Sequence, residues 1–101
     1  MRKPNEVVLS DFRVFETDEF SKRFKKLSSR DASFLRKKLD SFVCPQIKVE
    51  PFWGNNIKKL QGYTPDAWRY RIGKFRLFYI ANQEERVIYI LTIDDRKDAY
   101  K

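Results

Sequence analysis

The stretch from Trp68 to Tyr79, Trp-Arg-Tyr-Arg-Ile-Gly-Lys-Phe-Arg-Leu-Phe-Tyr, constrains this chain more than any other part of it. Two runs rich in aromatic and β-branched residues flank Gly73 and Lys74, and glycine at the first central position suits a two-residue type II′ hairpin turn. A turn of that length fixes the register of the strands it joins. Ile72 then faces Phe75, Arg71 faces Arg76, Tyr70 faces Leu77, Arg69 faces Phe78 and Trp68 faces Tyr79. Side chains alternate along a strand, so Trp68, Tyr70, Ile72, Phe75, Leu77 and Tyr79 share one side, the expected core. Arg69, Arg71, Arg76 and Phe78 share the other.

The rest of the chain reads as partners for that core. Phe12 to Glu16 alternates as a short strand, with Phe15 ambiguous. Thr17 then offers an N-cap, and Asp18 and Glu19 place negative charge in the first turn of a helix, where its dipole favours it. Phe20, Phe24 and Leu27 fall at helical spacing, leaving Lys22, Arg23, Lys25 and Lys26 to solvent. Ser28 and Asp31 resemble a capping box that opens a second helix, with Leu35, Leu39, Phe42 and Val43 as its apolar stripe and Pro45 as its expected end. Gln46 to Pro65 is irregular apart from a candidate short strand near Ile57 to Leu60. Ala67 to Ile72, Phe75 to Ala81 and Val87 to Ile93 read as three antiparallel strands. A helical hairpin needs another layer to cover its two apolar stripes, and the sheet supplies it. The expectation is an α+β fold of order βααβββ, a helical hairpin packed on a twisted, mainly antiparallel sheet. At 101 residues a single domain spanning 1–101 is expected, with 1–10 as an extension of weak periodicity.

Arg71 directly opposite Arg76 is an unfavourable like-charge pair unless something anionic lies against it. Two readings stand open. Asp66, Glu84, Glu85, Asp94 or Asp95 could neutralise the arginines as ordinary surface ion pairs, or the face binds an anion. Arginine suits phosphate, because its planar fork donates two parallel hydrogen bonds and keeps its charge at every relevant pH. The helices raise the same question: from Lys22 to Lys38 there are eight basic residues and one acid, Asp31. A solvated helix face explains that run, and so does a sequence-independent contact to RNA phosphates.

Composition narrows the partners and the chemistry. The chain carries 22 Lys and Arg against 14 Asp and Glu, a net charge of +8, which favours polyanionic or acidic partners. There is no histidine, so the commonest general base and zinc ligand is missing; no metal or cofactor is expected. Cys44, the one cysteine, has no partner within the chain and reads as a small packed hydrophobe. The longest apolar run, near Val87 to Leu91, is too short to span a bilayer, and a cytoplasmic protein is the expectation.

Four segments taken in order carry a resemblance: Phe20 to Leu27; Lys59-Leu60-Gln61-Gly62; Trp68 to Tyr79; and Asp95-Arg96-Lys97-Asp98-Ala99-Tyr100. From about Phe12 onward the chain resembles the RelE/ParE superfamily, toxins of type II toxin-antitoxin systems. The resemblance implies the βααβββ fold already read from the residues. It also implies a cognate antitoxin as partner and one of two activities. RelE-like members cleave mRNA, commonly in the ribosomal A site, by attack of a ribose 2′-hydroxyl on the adjacent phosphate without a metal. ParE-like members inhibit DNA gyrase and cleave nothing. A purely antitoxin-binding, catalytically degenerate member is the third possibility.

Carried over position by position, the resemblance makes Arg69 and Arg71 the basic pair of the first hairpin strand. Arg76 is the arginine of the second, and Arg96 and Tyr100 are the C-terminal arginine and tyrosine. Fixed guanidinium groups would stabilise the charge that builds on a phosphorane's non-bridging oxygens. Tyr100 would stack on a base or give a proton to the leaving 5′-oxygen, or else simply pack on the edge of the core. One departure matters. Arg69 and Arg71 do not readily lose a proton, where some relatives carry a lysine. Asp95 stands where many relatives carry histidine, and is either a substitute base or an ion-pair partner of Arg96 or Lys97.

Overall fold

A computed structural model describes residues 11–95. Arg96 and Tyr100, both expected site residues, and the extension 1–10 lie outside the described residues. The α+β architecture is as expected, with strand β1 (Arg13–Glu16), helices α1 (Asp18–Lys25), α2 (Ser29–Lys38) and α3 (Cys44–Val49), and strands β2 (Ile57–Lys59), β3 (Trp68–Ile72), β4 (Phe75–Asn82) and β5 (Val87–Asp95). The strands form one sheet in the order β1-β5-β4-β3-β2, antiparallel except for the parallel pairing of β1 with β5.

The hairpin register is the one the turn dictates: Ile72 pairs with Phe75, Arg71 with Arg76, Tyr70 with Leu77, Arg69 with Phe78 and Trp68 with Tyr79. Gly73 has φ +56, the left-handed conformation that the first central position of such a turn requires. Tyr70, Ile72, Phe75, Leu77 and Tyr79 are buried on one side of the sheet, together with Ile88, Ile90 and Ile93 of β5. Phe20, Leu35, Leu39, Val43 and Ile47 from the helices close over them.

Both helix starts are capped as their residues suggest. The Phe20 amide donates to Thr17 Oγ1 at 3.3 Å and the Asp31 amide to Ser28 Oγ at 3.1 Å. Thr17 does more than cap, because its hydroxyl donates to the Ile90 carbonyl at 2.7 Å and ties the start of α1 to β5.

Two expectations for the second helix need correction. Pro45 does not end it. A π-helical turn, Leu39–Val43, follows α2 and leads straight into α3, with Pro45 in the first turn of that segment, where its missing N–H is least missed. The Cys44 amide reaches back five residues to the Leu39 carbonyl, so the extra residue is absorbed just before the proline. The helical path therefore runs on until Glu50, and Ile47 extends the buried stripe. Phe42, expected in that stripe, is 62% exposed, because Leu39 and Val43 take the inward positions around the π turn.

Candidate functional site

The face of the sheet turned away from the buried core gathers the cations. Cross-strand partners share a face, so Arg69, Arg71, Arg76 and Phe78 stand together there, as the hairpin requires. β2 adds Lys58, paired with Arg69 and exposed. Lys58 was missed in the sequence, where the 57–60 segment offered no pairing partner. Its only signal was the apolar Ile57 followed by two lysines, too short a pattern to fix a face.

β5 completes the face from the other side, and a bulge decides which of its residues take part. Phe78 pairs with Thr92 but Tyr79 with Ile90, so Leu91 is the extra residue. Continued alternation from Ile88 and Ile90 would have put Asp95 among the arginines. The bulge exchanges the faces: Ile93 turns inward, and Thr92 and Asp94 join Phe78 and Arg76. Asp95 pairs with Phe75 on the core side, where its carboxylate lies 3.6 Å from Lys74 Nζ. The structure therefore does not bring Asp95 together with Arg76.

The acids that could have neutralised the arginines are largely engaged elsewhere. Asp94 stands across from Arg76 but accepts Arg23 of α1 at 3.2 Å. Asp66 pairs with Lys59 at 3.3 Å, and Glu85 accepts the Tyr89 hydroxyl at 3.2 Å. Lys74 sits between Asp31, at 3.2 Å, and Asp95; its hydrogen bond to Asp31 raises its pKa above the ordinary lysine value. Among the described residues, neither Arg71 nor Arg76 has a carboxylate partner. Arg76 is half-buried, its guanidinium carbon 5.7 Å from the centre of the Phe78 ring, and its Nε is buried with no acceptor among the described residues.

The face thus offers guanidinium and ammonium donors, one aromatic ring and a threonine hydroxyl. It can bind phosphate oxygens and spread charge over them. The chain has no imidazole to offer it, and the carboxylates that reach it among the described residues, Asp94 and Glu19, are both in ion pairs with Arg23. Among the described residues no three His, Cys, Asp or Glu side chains gather where they could share a metal ion. No helix among them is long and apolar enough to cross a membrane. Cys44 packs against the core, and burial raises its thiol pKa, which keeps it protonated.

Comparison with known proteins agrees with this architecture. Residues 14–100 match a family model described as the ParE toxin of the type II toxin-antitoxin system parDE. A protein of Methanocaldococcus jannaschii named as toxin RelE1 is 44% identical over 46 residues, which cover 46% of this chain and 50% of that protein. The match thus spans about half the length of the curated relative. Among solved structures, the toxin-antitoxin complex RelBE2 of Mycobacterium tuberculosis superposes with a TM-score of 0.67 at 22% identity, covering 85% of this chain and 99% of that one; the likeness is one of fold. The RelE-RelB complex of Pyrococcus horikoshii OT3 superposes with a TM-score of 0.56 at 27% identity, over 85% of this chain and 96% of that one.

Proposed function

The chain belongs to the ParE toxin family of the RelE/ParE superfamily, toxins of type II toxin-antitoxin systems, and within that superfamily we propose the RelE-like activity, an endoribonuclease acting on mRNA at the ribosome, because Arg96 and Tyr100 match the RelE-like C-terminal motif. The observation that supports this reading is Arg71 opposite Arg76, two like charges with no carboxylate partner among the described residues, flanked by Arg69 and Lys58. A surface built only for solubility has no reason to oppose two arginines.

In the proposed reaction the ribose 2′-oxygen forms a bond to phosphorus as the bond to the 5′-oxygen breaks. The 2′-hydroxyl passes its proton to water and the leaving 5′-oxygen takes one from Tyr100 or from water, which leaves a 2′,3′-cyclic phosphate and a 5′-hydroxyl. Arg76 and Arg96 hold the non-bridging oxygens, whose charge rises in the transition state, and Arg69 and Arg71 hold flanking phosphates. Tyr100 stacks on a base or protonates the leaving oxygen. Asp95, on the other side of the sheet and beside Lys74, is left out of proton transfer at this face. Catalysis on this reading rests on positioning and charge stabilisation more than on a dedicated base.

The scarcity of bases on the arginine face favours a second reading, inhibition of DNA gyrase, which needs none. On either reading the chain is held in check by a cognate antitoxin whose amphipathic segment covers basic and apolar surface, as the RelE-RelB complexes among similar structures suggest.

One experiment separates the two. The chain is induced with and without its antitoxin, 5′ ends of mRNA are mapped, and gyrase supercoiling is assayed in parallel. New 5′ ends within coding sequences, suppressed by the antitoxin and absent in Arg76→Ala and Tyr100→Phe, are the expected result. Growth arrest with unchanged mRNA ends and inhibited supercoiling overturns the nuclease reading.

A further inference from the structure

A cleft of 320 Å³ lies between the helical layer and the free end of β3, with Phe34, Lys38, Phe42, Asn56, Arg71 and Gly73 in its wall. β2 pairs with Trp68, Arg69 and Tyr70, and the Arg71 amide still donates to the Asn56 carbonyl at 2.9 Å, so the sheet edge opens only beyond Arg71. Two phenylalanines sit at the cleft with much of their surface in solvent, Phe34 at 41% and Phe42 at 62%. Phe34 lies over the hairpin turn, where a Cβ on Gly73 would come within 3.5 Å of its ring. Phe42 is turned outward by the π turn, and Lys38 Nζ sits 4.9 Å from its ring centre. Both charged residues of the wall, Lys38 and Arg71, are cations; among the described residues no carboxylate lines it.

We propose that this cleft is a nucleotide subsite: it takes one unstacked base of single-stranded RNA against Phe34 and Phe42, with the adjoining phosphate held by Lys38 and Arg71. The inference rests on the RNA-binding reading above and extends the phosphate path from the arginine face around the edge of β3. Every base has a π face, so aromatic stacking beside cations is a sequence-tolerant way to hold a single strand. The cleft's size also selects the occupant. It stands at the lower end of the range for small-ligand pockets, while an amphipathic helix needs a groove with anchors over several turns. The exposed rings of Phe34 and Phe42, which the core does not use, gain a role here.

The full chain is titrated with a short fluorescein-labelled oligouridylate carrying 2′-O-methyl groups, which binds but cannot be cut. Affinity is read by anisotropy, and the Asn56 and Gly73 amides are followed by NMR. Phe42→Ala is expected to weaken binding about tenfold, with Phe42→Trp restoring it. Lys38→Gln is expected to lower the slope of log affinity against log salt by about 1. Thermal unfolding reports whether Phe42→Ala folds; if it does not, Phe42→Trp, Lys38→Gln and the two amides decide. If these variants bind like the parent and the amides stay still, while Arg76→Ala still weakens binding, the subsite is refuted and the RNA reading stands. If the parent binds no RNA, both fall. If Phe42→Ala keeps its RNA affinity and loses the antitoxin, the cleft is a protein-docking surface and the proposal is overturned.

Discussion

Arg23 of α1 holds the carboxylate of Asp94 at 3.2 Å, and Asp94 is the residue that stands across the β4-β5 ladder from Arg76. A helix cation thus occupies the acid best placed to neutralise the arginine face. Arg23→Gln is expected to release Asp94 toward Arg76 and weaken RNA binding about two- to fivefold, the scale of one partly exposed ion pair. Asp94→Asn removes the competitor and is expected to strengthen binding by a similar factor. Anisotropy titrations at fixed salt check both; no change in either variant would show that Asp94 has no influence on the face.

Arg71→Ala and Arg76→Ala should separate function from stability. Each removes one member of a like-charge pair, so neither is expected to lower stability by more than about 0.5 kcal/mol, and relief of repulsion acts the other way. Each is expected to reduce the salt slope of RNA binding by about 1 and to abolish growth arrest in cells. A large drop in the urea midpoint would mean that the pair holds the fold together rather than a ligand.

The hairpin and its two faces were legible in the sequence because Gly73 and strict alternation are local signals that tertiary context did not override. The course of the chain past Pro45 was less so, although Leu35, Leu39, Val43 and Ile47 are each four apart. In a regular helix that spacing drifts by about 40° per step, and the π turn takes the drift back. The role of Asp94 was hidden for another reason. The bulge at Leu91 arises from the pairing of β5 with β4, and nothing in Leu91-Thr92-Ile93 announces it. Lys58 escaped because a three-residue strand acquires a face only from its neighbour.

Thr17 joins two elements with one side chain, capping α1 and donating to the Ile90 carbonyl. Thr17→Ala is expected to cost about 1–2 kcal/mol, the upper part of the range for losing an N-cap, while Thr17→Ser retains most of the stability. Urea denaturation followed by circular dichroism measures the difference. Equal stability of the alanine and serine variants would remove the hydroxyl from the account.

Alkaline pH should destabilise the protein through Tyr79. Burial raises the pKa of this phenol well above its ordinary value of 10.0, and its neutral hydroxyl donates to the Pro51 carbonyl. The folded-state pKa lies above the unfolded one, so this contribution is fully present below about pH 10 and is lost as pH rises through the higher folded value. Lys74, also raised, acts in the same direction, though it is exposed. Tyr79→Phe is expected to cost about 1 kcal/mol at neutral pH and to flatten the decline above pH 10. Urea midpoints measured from pH 8 to 11 test this; an unchanged alkaline slope in the variant would assign the decline to other groups.

The parallel pairing of β1 with β5 ties the two ends of the described chain together, with Thr17 Oγ1 3.1 Å from a carbonyl 74 residues further on. Contacts of such long range form late, because the loop they close must first be made. During synthesis the arginine hairpin is made before β5, but the edge that β1 occupies does not exist until Val87 to Ile90 have left the ribosome. The finished sheet, with Asp94 held by α1 and the cationic face complete, therefore cannot assemble before Val87 to Asp95 have left the ribosome. On the toxin reading proposed above, translation itself sets the earliest moment of harm and leaves a cognate antitoxin a defined interval in which to arrive.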